Sequence, residues 1–353
     1  MLATYIHNMD PVIFDVVGPI KLRWYGLGYL LSFVLGYYLL RWQARKKLWV
    51  LPEEKVADFI AYAAFFGVFL GGRLGWVLMY FENGAISGKW LQYVLLFRFM
   101  HKSKPEEPFF NPEWFLAIAE DPLIIMRVYD GGMASHGGIL GLMIFTWFYA
   151  RKQKVSWTGV GDGLCVVAPI GIGLVRLANF INGELYGRVA NGASWAMKFP
   201  ASLFEDLNYD KASINEAYYA CRQVAPELGT DELPYDAIVS AARDNPELLE
   251  TLGGYLQARH PSQLYEAILE GLVLFAVLFT VRVRFPKLAS GIITGLFFLL
   301  YAVFRIIVEG YREPDSAMIG ALTKGQFYST FMIVAGLAFI GFALWRQSKA
   351  KAL

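Results

Sequence analysis

Long apolar runs alternate with short polar and basic stretches along most of the 353-residue chain. A run of roughly 20 apolar residues is enough to cross a bilayer as a helix. The pattern predicts such helices from Trp24 to Leu40, from Val56 to Tyr80, after Gly138, from Val160 to Ile181, after Glu266, from Ser290 to Val308 and from Gln326 to Trp345. The first run ends in Arg41, Arg45, Lys46 and Lys47, and the third in Arg151, Lys152 and Lys154. The fifth ends in Arg282, Arg284 and Lys287, and the seventh in Arg346, Lys349 and Lys351. Basic ends face the cytoplasm. The expectation is therefore an all-α polytopic membrane protein of about seven transmembrane helices, with the N-terminus out and the C-terminus in.

Two segments break the rhythm. Residues 81–129 form an outer excursion, in which Trp90, Tyr93, Val94 and Phe97 recur at helical spacing before His101, Lys102 and Lys104. A piece this short and basic suits the membrane interface better than its interior. Residues 188–259 are polar and read as a small extracytoplasmic head. A short strand is expected at Ala196–Phe199, with helices over Asn215–Val224, Tyr235–Ala242 and Pro246–Leu256, the last capped by Asn245. The chain thus divides into 1–187 (helices one to four with the excursion), the head at 188–259, and 260–353 (helices five to seven). Asp10 and Asp15 precede the first apolar run where a leader would carry basic residues, so that run reads as a retained span.

Composition narrows the function. Hydrophobic residues make up 56% and aromatics 16%, a membrane-protein profile, and the net charge of +2 is too small to suggest a nucleic-acid partner. The two cysteines, Cys165 and Cys221, make neither a disulfide framework nor a metal site and read as small packing residues. No metal-ligand spacing, nucleophile elbow or nucleotide loop occurs, so neither metal nor cofactor is expected.

The informative residues are the charges that the apolar runs retain, because a charge within a bilayer costs about 2.5–3.5 kcal/mol on insertion scales. The fourth run closes on Arg176-Leu177-Ala178-Asn179-Phe180-Ile181-Asn182-Gly183-Glu184-Leu185-Tyr186-Gly187-Arg188. Arg176 and Asn179 share a helical face, and the glycines that follow mark a turn. Arg73 sits among Gly71, Gly72 and Gly75, with a structural ion pair and a direct role both open. His136 is bracketed by Gly131, Gly132, Gly137 and Gly138, which leave an imidazole of near-neutral pKa accessible to a bulky substrate. Arg305 and Glu309 lie four apart, at pairing distance along a helix. Tyr25 stands either as an interfacial belt residue or as a polar handle reaching a pocket. Ser262 is a candidate cap for the fifth helix, and Gln263, Glu266 and Glu270 fall in its outer half. The expected topology gathers Arg176, His136 and Arg305 on one side of the membrane. Two arginines there suit bidentate capture of a phosphate, which points to chemistry at a phospholipid headgroup.

The pattern Arg-x-Ala-Asn-Phe-Ile-Asn-x-Glu-x-x-Gly over Arg176–Gly187 resembles the signature of the bacterial prolipoprotein diacylglyceryl transferases. The resemblance extends in order through Gly71-Gly72-Arg73, Gly131-Gly132-Met133, His136-Gly137-Gly138, Arg259–Glu266 and Phe304–Glu309. It implies transfer of the diacylglyceryl group from phosphatidylglycerol to the lipobox cysteine of a prolipoprotein signal peptide. The products are a thioether and glycerol phosphate, made at the outer leaflet of the inner membrane without a cofactor. It also implies roles for Tyr25, His136, Arg176, Asn179, Glu184, Gly187, Arg305 and Glu309, His136 being the candidate base. Val175 stands where the family usually has glycine, and Ala134-Ser135 where it has Ser-Phe. A transporter would instead line a path across the bilayer with its charges, and a retinal receptor would carry a lysine in the last span; neither pattern is present.

Overall fold

A computed structural model describes residues 4–17, 20–80, 134–190, 192–205, 211–228, 235–314 and 318–352. These residues are mostly helical. The basic amphipathic piece at 89–99 and the Gly131-Gly132-Met133 motif lie outside them. The chain forms two compact units, one of Arg41–Gly161 and the other of Met1–Leu40 with Asp162–Leu353.

Five helices among the described residues are long and apolar enough to cross a membrane: Glu53–Gly75, Trp157–Asn182, Ser262–Arg284, Ile292–Glu309 and Lys324–Ala350. The other two expected spans are also helices, α1 (Trp24–Arg45) and α3 (Ser135–Gln153). Each is rich in tyrosine, tryptophan or glycine, residues that add little to apolarity. A feature absent from the periodicity precedes α1: strands β1 (Val12–Val17) and β2 (Ile20–Arg23) pair antiparallel in a stretch to which the sequence pattern assigned no element. Irregular register between Val12 and Phe14 and between Asp15 and Val17 breaks the alternation by which a strand is recognised.

In the unit of Arg41–Gly161, helix α2 (residues 53–80) opens in a single tight turn and contains a π-helical stretch, Ala63–Phe69. It runs antiparallel to α3. At one end the two meet through glycines. A Cβ added at Gly71 would lie 2.7 Å from the Gly137 oxygen, and one at Gly75 would lie 2.5 Å from the Gly137 Cα. Only glycine permits so close an approach. At the other end Phe59 fills the gap against Phe145 and Tyr149, at centroid distances of 5.9 and 5.1 Å.

The second unit is organised by α4 (Trp157–Asn182), which enters it at Asp162. Asp162 is buried and accepts from the Gly291 and Thr294 amides and the Thr294 hydroxyl, each at 2.8 Å. A side chain of α4 thereby caps the sixth apolar helix, Ile292–Glu309, satisfying amides that a helix start leaves unpaired. Further along, Gly173 meets Gly271 of the fifth apolar helix, where an added Cβ would lie 2.7 Å from the Gly173 Cα.

Between these spans, helices α5 (Ser202–Glu205), α6 (Lys211–Val224), α7 (Tyr235–Asp244) and α8 (Pro246–Tyr255) enclose a core of Leu203, Cys221, Ile238, Leu248 and Leu252. Asn245 caps α8 by accepting from the Leu248 amide at 3.1 Å. Burial in this core raises the Cys221 thiol pKa, in keeping with a packing role. Strands β3 (Met197–Lys198) and β4 (Ala258–Arg259) tie the two ends of the segment together.

Candidate active site

Helix α4 ends in a compact reversal. The Gly183 amide donates to the Phe180 oxygen at 2.9 Å and the Glu184 amide to the Asn179 oxygen at 3.2 Å, with Gly183 at φ +72°. This is the glycine-terminated helix end that leaves the next residues pointing back along the helix. Leu185 is also left-handed, at φ +56°. The double turn aims Glu184 inward. Its carboxylate accepts from the Tyr25 hydroxyl and, at 2.8 Å, from Asn179 Nδ2; Asn179 also donates to the Tyr25 oxygen. The Tyr25 hydroxyl is therefore held by the polar groups at the end of α4.

The chain after the turn is fixed by backbone. Gly187 donates to the His260 oxygen at 2.8 Å and bridges to Arg312. A Cβ there would lie 2.5 Å from both the His260 and Tyr311 oxygens. The fifth apolar helix, α9 (Ser262–Arg284), starts against this loop. Ser262 does not cap it: Pro261 occupies the cap position, and the Ser262 hydroxyl donates to the Leu185 oxygen at 3.0 Å. Gln263 Nε2 donates to the Glu184 oxygen at 2.6 Å.

One turn before Asn179, Arg176 enters a charge cluster centred on Glu266. Arg176 Nε is 3.1 Å from Glu266 Oε2, and Arg312 Nη1 is 2.9 Å from Oε1, the oxygen to which Arg305 also donates. Glu270 lies 3.8 Å from Arg176 and 3.7 Å from Arg305. Arg305 also makes the expected pair with Glu309, at 3.0 Å. Glu266 and Glu270 are fully buried, while Arg176 and Arg305 keep 18% and 14% of their side-chain surface exposed. The carboxylates are thus the buried members of the cluster, and the Arg176 and Arg305 guanidinium groups its partly exposed ones. Three arginines balance three glutamates, which relieves the cost of burying each charge alone. Among the described residues no group of three His, Cys, Asp or Glu side chains is arranged to hold a metal.

Tyr25, Arg176, Asn179, Glu184, Gly187, Arg305 and Glu309 are therefore joined through one continuous set of contacts. Arg73 and His136 belong to the other unit. Arg73 is buried, and the His136 backbone lies in the first turn of α3, its side chain outside the described residues. Gln263, Glu266 and Glu270 had been placed in the fifth helix without a role, and Tyr301 and Arg312 had been assigned none. Their spacing carried a signal: 263, 266 and 270 follow one helical face, as do 301, 305, 309 and 312.

The model of the prolipoprotein diacylglyceryl transferase family matches residues 11–342. The chain belongs to that family. It is 36% identical over 344 residues to the phosphatidylglycerol–prolipoprotein diacylglyceryl transferase of Serratia proteamaculans, covering 96% of this chain and 95% of the relative. The enzyme of that name from Photorhabdus laumondii is 35% identical over 343 residues, covering 96% and 94%. One from Escherichia coli is 36% identical over 353 residues, covering 98% of each. Family membership thus extends over both units, including the segment that carries Arg73 and His136.

Proposed function

We propose that the protein transfers the diacylglyceryl group of phosphatidylglycerol to the lipobox cysteine thiol of a prolipoprotein signal peptide. Family membership supports the reaction class. The observation that carries the site assignment is the pair Arg176 and Arg305, both partly exposed and paired with the buried Glu266 and Glu270.

In the reaction, the peptide thiolate attacks the glyceryl carbon that bears the phosphate. The carbon–oxygen bond breaks, its electron pair stays on the phosphate oxygen, and a phosphodiester becomes a phosphomonoester with added negative charge. Arg176 and Arg305 stabilise that charge, a role in which fixed cations act without reorganising. Glu266, Glu270 and Glu309 hold the guanidinium planes in place. Tyr25, Asn179 and Glu184 form the adjoining wall for the lipid glycerol. Asn179 Oδ1 and Gln263 Oε1, buried acceptors without a donor among the described residues, suit its hydroxyls. His136 takes the thiol proton, whose ordinary pKa of ~8.5 leaves most of it bound at neutral pH. Arg73 contributes to headgroup binding. The site opens to the outer leaflet of the inner membrane in a seven-helix arrangement with the N-terminus out, and the segment 188–259 forms an extracytoplasmic head over it.

The test is incubation with phosphatidylglycerol vesicles and a lipobox peptide, followed by mass spectrometry. A diacylglyceryl adduct that disappears with a Cys→Ser peptide and with Arg176→Ala supports the assignment. No adduct from folded, lipid-bound protein overturns it.

A further inference from the structure

Helices α2 and α3 touch through glycines at one end and are held apart by aromatic rings at the other, so a cleft opens where they diverge. Its volume is about 420 Å³. Tyr62, Phe66 and Phe148 form its walls and are 48%, 48% and 60% exposed, while buried Tyr149 lies at its floor. Phe66 belongs to the π-helical stretch Ala63–Phe69, an irregularity that recurs at functional sites. Lys55 and Lys152 stand at the mouth with Asp58 between the same elements. Neither lysine has a carboxylate within ion-pairing distance among the described residues. At the same end of the unit Glu53 engages both Arg41 and Arg45, each at 2.7 Å. The cleft therefore carries two lysines without an ion-pair partner among the described residues, with a net lining charge of +1 after Asp58 is counted.

We infer that this cleft binds an anionic glycerophospholipid, its phosphate between Lys55 and Lys152 and an acyl chain along Phe66 and Phe148. Charge complementarity at the mouth and an aromatic wall continuous with the apolar outer faces of both helices select a lipid over a free anion, which needs no such wall. Basic pockets between membrane helices take anionic headgroups in this way. The site is distinct from the charge cluster around Glu266. It also lies at the end of the α2–α3 pair opposite the first turn of α3. It rests on the membrane reading of these helices and not on the transferase assignment.

The test is native mass spectrometry of the delipidated full chain in detergent, titrated with dioleoyl phosphatidic acid. Lys55→Gln/Lys152→Gln should weaken the tightest lipid-binding step by about 25-fold, roughly fivefold per lysine. Lys46→Gln/Lys47→Gln, which removes the same charge from exposed residues outside the cleft, should change it less than twofold. Phe66→Ala/Phe148→Ala should weaken the same step, dioleoyl phosphatidylcholine should show no lysine dependence, and inorganic phosphate should not compete. Transfer measured in detergent should persist in Lys55→Gln/Lys152→Gln, separating this site from the catalytic one. An equal loss in both lysine pairs, no loss in either, or competition by inorganic phosphate would overturn the assignment.

Discussion

Glu266 is the residue on which the candidate site depends, and its replacement by glutamine has a calculable outcome. The side chain is fully buried and touches Arg176, Arg305 and Arg312 at once. Glu266→Gln preserves shape but removes one of three negative charges facing three arginines. The cluster then carries an uncompensated positive charge beneath the protein surface. Removing one partner of a buried pair costs about 3–5 kcal/mol, and Glu270 and Glu309 remain close enough to Arg305 to recover only part of it, at 3.7 and 3.0 Å. The expected loss of stability is therefore about 3 kcal/mol, measured by thermal or denaturant unfolding in detergent micelles. Adding Arg312→Gln restores neutrality, so the double variant should be more stable than the sum of the two single changes predicts, by at least ~1 kcal/mol. A single variant within 1 kcal/mol of the parent, or strictly additive effects, would refute the view that these charges form one balanced unit.

Three further outcomes follow from other parts of the fold. Gly187→Ala drives a methyl group into two backbone oxygens and should abolish transfer while costing about 1–3 kcal/mol; Gly254→Ala, where an added Cβ meets nothing within 4 Å, should change neither. Burial lowers the His7 pKa from 6.5 to about 4, so its neutral form is the folded one. Its contribution should be intact above pH 6.5 and decline as pH falls toward 4, by up to about 3 kcal/mol, and His7→Gln should flatten that part of the unfolding profile. Asp162→Ala removes three hydrogen bonds at the start of the Ile292–Glu309 helix and the 3.9 Å partner of buried Arg282, and should lower stability by about 3–5 kcal/mol, read as a lower unfolding midpoint.

Much of this architecture is visible in the sequence because a bilayer constrains few variables. Apolar length and basic flanks locate each helix, so even α1 and α3, weak by apolarity, were anticipated near their observed positions. The Asn245 cap and the Arg305–Glu309 pair follow from local spacing alone. Where local reading fell short, the cause was contact with distant segments. Ser262 has the identity and position of a cap, yet its hydroxyl is drawn to the Leu185 oxygen by the folded-back loop, a partner 77 residues away. Glu266 was placed in the outer half of the same helix with no role attached, because its partners come from two other segments. The β1–β2 hairpin was missed because its bulges erase the period of two. Long-range pairing of charges does not register in hydrophobic periodicity, and it is what assembles this site.

The most direct test of the account is steady-state transfer with Arg305→Lys and Arg176→Lys, measured against phosphatidylglycerol at saturating peptide. If the two guanidinium groups stabilise charge that develops on the leaving phosphate, kcat should fall about 10²- to 10³-fold with a change of a few-fold in KM. A normal kcat with a raised KM would show that the arginines only hold the headgroup, and would contradict the role assigned to them.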